Sequence, residues 1–322
     1  MTQNSQNTQH TQGMHGMQDM QDVRSRGNTS ASTAESTTVP TVVSTTASTT
    51  VSTVVVTGAS GRTGSRVAAV ARAAGLTVRA ASRARGFDWQ DRSTWEPVLR
   101  GADAAYLVYP TDVGAPDAPE AVGRLARAAV GLGVRRLVLL SARGEEQALP
   151  TEEALAGSGA QWTAVRAAWF AQNFSEGPLL EELRTGGELV FPGGEVREPF
   201  VDVRDVADVV VAALTGGDRY ARRALEVSGP RLLTFDEAVA EVAAATGREL
   251  AYRAVSPRDY GERLAGFGVP PEEVEFLVEL FTSLLDGRNA HVSDGVRQVL
   301  GRAPRDFGDY AREAAAAGAW TV

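Results

Sequence analysis

The sequence predicts an α/β chain, a doubly wound parallel sheet with a smaller helix-rich lobe at its C-terminal end. Three observations lead there. From about residue 53, short β-branched or apolar runs alternate with stretches of helical spacing, and that alternation implies parallel strands joined by crossover helices. The first run ends in a glycine-rich loop that opens a helix. Beyond residue 190 strand signals thin out and amphipathic helices dominate.

The elements follow in order. Residues 1–52 are rich in Gln, Asn, Ser, Thr and Val and hold all four methionines. Such a segment buries too little apolar surface to offset its ordering entropy, so a disordered tail is expected there. Ser52–Thr57 is β-branched and reads as the first strand. Arg62–Ala74 has helical spacing and stops at Gly75, and Thr77–Ala81 is a second strand. Asp103–Tyr109 and Arg135–Leu140 are apolar runs of buried-strand type, taken as the fourth and fifth strands, with the alanine-rich helix Pro119–Leu132 between them. Glu152–Gly157 reads as a short helix and Gln161–Arg166 as the sixth strand. Residues 53–190 then make up the sheet domain, and 191–322 mainly the lobe, with some strands returning to the sheet.

In the lobe, Phe200–Val203 and Leu225–Ser228 are expected as strands. Asp205 is expected to cap a helix reaching Leu214. Thr234 with Glu237 three residues on has the capping-box pattern for a helix to Ala245. Pro270-Pro271 opens a helix with the apolar stripe Val274, Phe276, Leu277, Leu280, Phe281 and Leu284. Further helices are expected over Asp294–Leu300 and Phe307–Ala317.

Composition removes whole mechanisms. The 322 residues include no cysteine and three histidines, and all 32 basic residues are arginine. Without lysine there is no Schiff base, no P-loop lysine and no Tyr-x-x-x-Lys proton-transfer pair. Without cysteine there is no disulfide, thiolate nucleophile or Fe–S cluster. Two histidines, His10 and His15, lie in the tail, which leaves His291 and argues against a His-based triad or metal site. The net charge of −8 argues against nucleic acid as a partner. No apolar run reaches membrane-spanning length and no secretory signal is evident, so a cytoplasmic protein with no membrane partner is expected. The oligomeric state is not encoded legibly.

The strongest chemistry lies in Val54-Val55-Val56-Thr57-Gly58-Ala59-Ser60-Gly61-Arg62-Thr63-Gly64. A strand, a G-x-x-G-x-x-G loop and a helix follow one another, the context of a Rossmann dinucleotide site. Gly58 permits the tight turn, Gly61 the approach of a diphosphate, and Gly64 close packing of helix on strand. Ser60, Arg62 and Thr63 complete the cradle, where free N–H groups and the helix dipole favour an anion. About 20 residues further on, an NAD-specific fold carries Asp or Glu. Here Ala80-Ala81-Ser82-Arg83-Ala84-Arg85 offers none. Guanidinium forks suit a 2′-phosphate, so Ser82 and Arg83, with Arg85 or Arg62, favour NADP(H) over NAD(H).

Other residues lie where strand ends meet a ligand. Asp88, between Phe87 and Trp89, can accept from an adenine amino group or serve only as a turn residue beside core rings. Val108 and Tyr109 end the strand over Asp103–Tyr109, and Tyr109 is the candidate proton donor. Ser141, in Ser141-Ala142-Arg143-Gly144, lies in the same layer. Ala168 follows the next strand, and Trp169 and Phe170 are expected to wall the substrate, with Asn173 orienting their loop. The alternative for this aromatic loop is a core plug.

From about residue 53 onward the chain resembles the NmrA-like branch of the atypical short-chain dehydrogenases/reductases. The likeness rests on Val56–Gly64, on Trp162–Arg166 with Trp169–Phe174, and on Phe200–Ala207. Phe87–Trp89, Ala105–Val108 and Val299–Phe307 resemble most the group around the ergot-alkaloid agroclavine dehydrogenase. The resemblance implies NADP binding by Gly58–Gly64, Arg83 and the loop after Gln161–Arg166. It does not fix a substrate, since some members reduce iminium ions or quinones and others are redox-sensing regulators. The absent Tyr–Lys pair bears on that choice. A neutral ketone needs a positioned acid to take up hydride, whereas an iminium carbon does not. Between Gly144 and Leu155 the titratable groups are Glu145, Glu146, Glu152 and Glu153. The expectation is therefore NAD(P)H-dependent hydride transfer to an iminium, imine or quinone-type small molecule. The alternative is an NADP-binding sensor without turnover.

Overall fold

The computed structural model describes residues 50–321 apart from residue 178. The disordered-tail expectation for residues 1–52 thus falls, up to residue 49, outside the described residues. In chain order the elements are β1 (Thr53–Thr57), α1 (Arg62–Ala73), β2 (Thr77–Ala81), α2 (Trp95–Leu99), β3 (Ala104–Leu107), α3 (Ala118–Gly131), β4 (Arg136–Ala142), α4 (Leu149–Ala156), β5 (Gln161–Ala167) and α5 (Asn173–Glu176). They continue with β6 (Glu188–Phe191), α6 (Val203–Thr215), β7 (Arg223–Val227), α7 (Phe235–Thr246), β8 (Ala251–Ala254), α8 (Pro257–Gly266), α9 (Pro271–Leu284), α10 (Gly295–Leu300) and α11 (Phe307–Ala316).

Six strands form one parallel sheet in the order β2-β1-β3-β4-β5-β7. The order reverses beside β1, so the carboxyl ends of β1 and β3 diverge and leave a crevice for a ligand. Side chains alternate across the sheet as the pleat requires. Val55, Ala105 and Leu137 pack with Trp95 and Leu99 of α2, Leu125 of α3 and Leu155 of α4 on one face. Val54, Val56 and Val138 pack with Val67 of α1 and Val206 and Val210 of α6 on the other. Both faces are covered, which is why these strands read as continuous apolar runs rather than alternating ones. A third core gathers Phe174, Phe200, Phe235, Phe307, Tyr310 and Trp320.

Four expectations change. The runs taken as the fourth, fifth and sixth strands are β3, β4 and β5, because residues 83–99 form two 3-10 turns and α2 instead of a further strand. That winding delivers Trp95 and Leu99 into the core, and Trp95 Nε1 donates to the Asp88 carbonyl at 2.8 Å. Phe200–Val203 is no strand: Val201 makes a single bridge to Phe170. The cap of α6 is Asp202 rather than Asp205, its carboxylate accepting from Arg204 N at 2.8 Å. Asp205 sits inside the first turn, fully buried, and pairs with Arg302 and Arg305. Finally, β6 and β8, which the sequence did not announce, pair in parallel as a second small sheet. The capping box of α7 is present as expected, with Glu237 N donating to Thr234 Oγ1 at 3.1 Å.

Candidate functional site

The loop from β1 into α1 is shaped by two glycines. Gly58 adopts φ +60°, a conformation L side chains rarely take, and its carbonyl accepts from Gly61 N at 2.8 Å. A Cβ on Gly64 would stand 2.2 Å from that same carbonyl oxygen, so only glycine lets α1 approach the turn. Gly61 caps α1 without a side chain, and the first turn holds no acidic residue. The N–H groups at the head of α1 thus lack a side-chain cap, an arrangement suited to a diphosphate. Ser60, Gly61, Arg62 and Thr63 line the cleft beside it, while Gly64 lies behind the loop as packing. Thr57, which the sequence reading passed over, ties this loop to the end of β3: its Oγ1 accepts from Val108 N at 2.7 Å.

At the end of β2 the Ser82 carbonyl accepts from Arg85 N and Phe87 N, curling the chain into a turn closed by Gly86 at φ +77°. Ser82 and Arg83 line the cleft, with Arg83 exposed; Arg85 is not among the lining residues. Arg62 departs from the expectation that it joins them. Its Nη1 donates to Asn173 Oδ1 in the segment after β5, and β5 lies on the other side of β1 from β2. Asn173, expected to orient its loop, is the acceptor of this bond.

Asp88 lines the cleft, and its Oδ1 accepts from Gln90 N at 2.9 Å in a local turn. The flanking rings of Phe87 and Trp89 are buried in the core, and Trp89 meets Tyr109 edge-on at 5.3 Å. Tyr109 lines the cleft. Its hydroxyl donates to Asp117 Oδ2 at 2.6 Å, and burial together with that carboxylate pushes it up to about 12. Ser141 lines the cleft, and its hydroxyl donates to Glu152 Oε1 at 2.6 Å, where Arg166 clamps the same carboxylate. Ala168 lines the cleft, with its own N–H spent on the Val227 carbonyl at 2.9 Å.

Trp169 and Phe170 combine both readings of their loop. Each is half-buried and lines the cleft. Behind it Trp169 meets Phe191 and Phe235 edge-on at 5.4 Å. The loop is stitched in place by Val201 N donating to the Trp169 carbonyl and Ala171 N donating to the Val201 carbonyl.

These elements enclose a cleft of about 1180 Å³ along the carboxyl ends of β1 to β5, large enough for a dinucleotide and a small second molecule. Its floor carries charged groups that the sequence reading did not assign to the site: Asp112, Asp117, Arg143 and Glu145. The Arg143 side chain is 2% exposed, with Nε 3.3 Å from Glu226 Oε2. Glu145 is 4% exposed. Leu284, at the end of α9, closes one side. The only sequence signal for these groups was their place just after β3 and β4.

Known proteins can be set against this geometry. The chain is 33% identical over 285 residues, 81% of its length and 98% of the other, to the (4-alkanoyl-5-oxo-2,5-dihydrofuran-3-yl)methyl phosphate reductase of Streptomyces griseus. It is 27% identical over 275 residues to the agroclavine dehydrogenase of Claviceps fusiformis, covering 79% and 94% of the two chains. Among solved structures, the NADPH-dependent quinone oxidoreductase QOR2 of Escherichia coli complexed with NADPH superimposes with a TM-score of 0.66 at 19% identity, covering 81% of this chain and 99% of that one. The sequence profile of the NmrA-like family matches residues 50–310, and the chain therefore belongs to the NmrA-like family.

Proposed function

We propose that the protein is an NADP(H)-dependent oxidoreductase that reduces an electrophilic small molecule of iminium, imine or quinone type. The observation carrying this reading is the pairing of an open helix N-terminus at Gly58–Gly64 with Arg83 on the rim and no carboxylate at the end of β2. The names of the relatives support it: a reductase, a dehydrogenase and an NADPH-dependent quinone oxidoreductase.

Residue roles follow from placement. Gly58, Ser60, Gly61 and Thr63 hold the diphosphate by backbone N–H groups and a hydroxyl. Ser82 and Arg83 select the 2′-phosphate, and Asp88 lies toward the adenine end. Val108, Tyr109, Ser141 and Ala168 form the wall along which the nicotinamide end is laid. When bound, the cofactor supplies the hydride. Trp169 and Phe170 give the acceptor a flat apolar wall and exclude water.

The test mixes purified protein with NADPH and a panel of cyclic iminium ions and quinones, following loss of nicotinamide absorbance. Saturable turnover with at least one acceptor is expected. Tight NADP⁺ binding with no turnover on any acceptor would replace the enzyme by a redox sensor. No binding of either dinucleotide would overturn both.

A further inference from the structure

The cleft floor holds two carboxyls, Glu145 and Asp112, that make no ion pair among the described residues. Glu145 follows the turn at Gly144 after β4, and Asp112 lies in the loop between β3 and α3; both line the cleft. Asp112 is the neighbouring carboxyl whose charge favours a protonated Glu145. Glu145 is the buried partner, and its Oε1 has no N–H or O–H donor. Asp112 is half-buried, with Oδ1 accepting from Gly114 N at 2.7 Å. Gly114 makes the room: a Cβ there would stand 1.9 Å from Glu145 Oε1.

Arg143 Nε lies 3.3 Å from Glu226 Oε2, though its guanidinium nitrogens make no hydrogen bond; Asp117 accepts from Tyr109, and Glu146 pairs with Arg288. Burial first, and Asp112 second, hold the Glu145 proton far above the usual carboxylate range. A carboxylic acid kept neutral in a low-dielectric pocket is a hydrogen-bond and proton donor.

We propose that Glu145 is the general acid of this cleft, delivering the proton that a neutral acceptor needs when it takes hydride, with Asp112 linking it to solvent. The proposal rests on the reductase reading. Hydride brings an electron pair to the acceptor carbon, and the C=O π pair, or its vinylogous equivalent, moves onto oxygen. The Glu145 O–H bond breaks as the product O–H bond forms. The carboxylate left behind regains a proton from water through Asp112. An iminium acceptor bypasses this step, because its C=N⁺ π pair becomes the nitrogen lone pair. Glu145 thereby fills the role for which this lysine-free chain has no Tyr–Lys pair, and it widens the accepted chemistry from cationic to neutral substrates.

The test compares the wild-type protein with Glu145→Gln, using NADPH with a neutral quinone or enone and with an N-alkylated iminium ion. For the neutral acceptor kcat is expected to fall about 100-fold, and for the iminium far less, the typical range for loss of a general acid. The wild-type rate with the neutral acceptor should decline as pH rises past about 9, and the variant should lack that limb. Gly114→Ala, which crowds the Glu145 carboxyl without removing it, should reproduce the selective loss while NADPH affinity is retained. Equal slowing of both acceptors, or slowing of neither, would overturn the assignment and leave the reductase reading intact. A wild-type protein that turns over no acceptor would overturn the reductase reading and the assignment with it.

Discussion

Arg83 and Gly64 illustrate two kinds of residue at this site. Gly64 is dictated by sterics, since the Gly58 carbonyl lies where any Cβ would go. Its role was readable from a spacing of three residues. Arg83 is dictated by chemistry. It stands exposed on the cleft rim in a turn that presents it to solvent. A hydrogen bond to a charged group contributes about 1.5–3 kcal/mol. Arg83→Ala is therefore expected to weaken NADPH binding about 10- to 100-fold and to leave NADH nearly unchanged, as read by calorimetry. Equal losses for both would remove Arg83 from the 2′-phosphate. Arg62 had the same legible chemistry, but its place was not legible. Whether a guanidinium faces β2 or Asn173, 111 positions away, depends on the order of strands between them. Tyr109 had a plausible position, and its hydrogen bond to Asp117, eight residues on, was not legible in the sequence.

At the scale of elements, α6 packs on the sheet and its start is tied to the segment after β5. It begins at Asp202, whose carboxylate accepts from Arg204 N, from the Arg204 guanidinium and from Gln172 Nε2 at 3.0 Å. Gln172 in turn accepts from Val203 N at 2.8 Å, so the cap also holds the segment that follows Trp169 and Phe170. Asp202→Ala removes a helix cap and strands a buried amide, an expected loss of about 2–4 kcal/mol in urea unfolding. Asp202→Asn retains a capping acceptor and should recover part of it; an alanine variant as stable as wild type would sink this account. The helices and parallel strands were legible because their periodicity is local. The cap was assigned three residues late because two aspartates, Asp202 and Asp205, both suit a helix start, and only burial beside Arg302 and Arg305 told them apart. β6 and β8 carry four residues each, too few for a pattern to stand out from the surrounding loops.

At the scale of the whole molecule, the buried carboxyls set a pH response. Glu145 is raised to about 9 by burial and by Asp112, and Glu198 to about 7, mainly by burial. Both folded values lie above the unfolded one of about 4.3. Their contribution to stability is therefore complete below that unfolded value and is lost as pH rises through the folded ones. Asp202 behaves oppositely. Burial raises it, but the hydrogen bonds and charge of Arg204 prevail and hold it below the ordinary value, so its contribution is lost as pH falls through the acid range. The thermal midpoint is expected to be highest at about pH 5 and to decline toward pH 9. The double variant Glu145→Gln, Glu198→Gln should flatten that decline. A wild-type midpoint that stays level from about pH 5 to 9 would contradict it.

The sequence by itself determined the doubly wound sheet, the glycine loop that opens α1 and the lack of a lysine-based proton relay. Each of these is written in local spacing or in composition, which backbone sterics and side-chain chemistry translate directly. Only the tertiary structure decided which groups meet on the cleft floor. Glu145 with Asp112, Arg62 with Asn173 and Ser141 with Glu152 come from segments brought together by strand order and register. Their protonation and hydrogen bonding follow from burial, a property of the packed whole rather than of any stretch of chain.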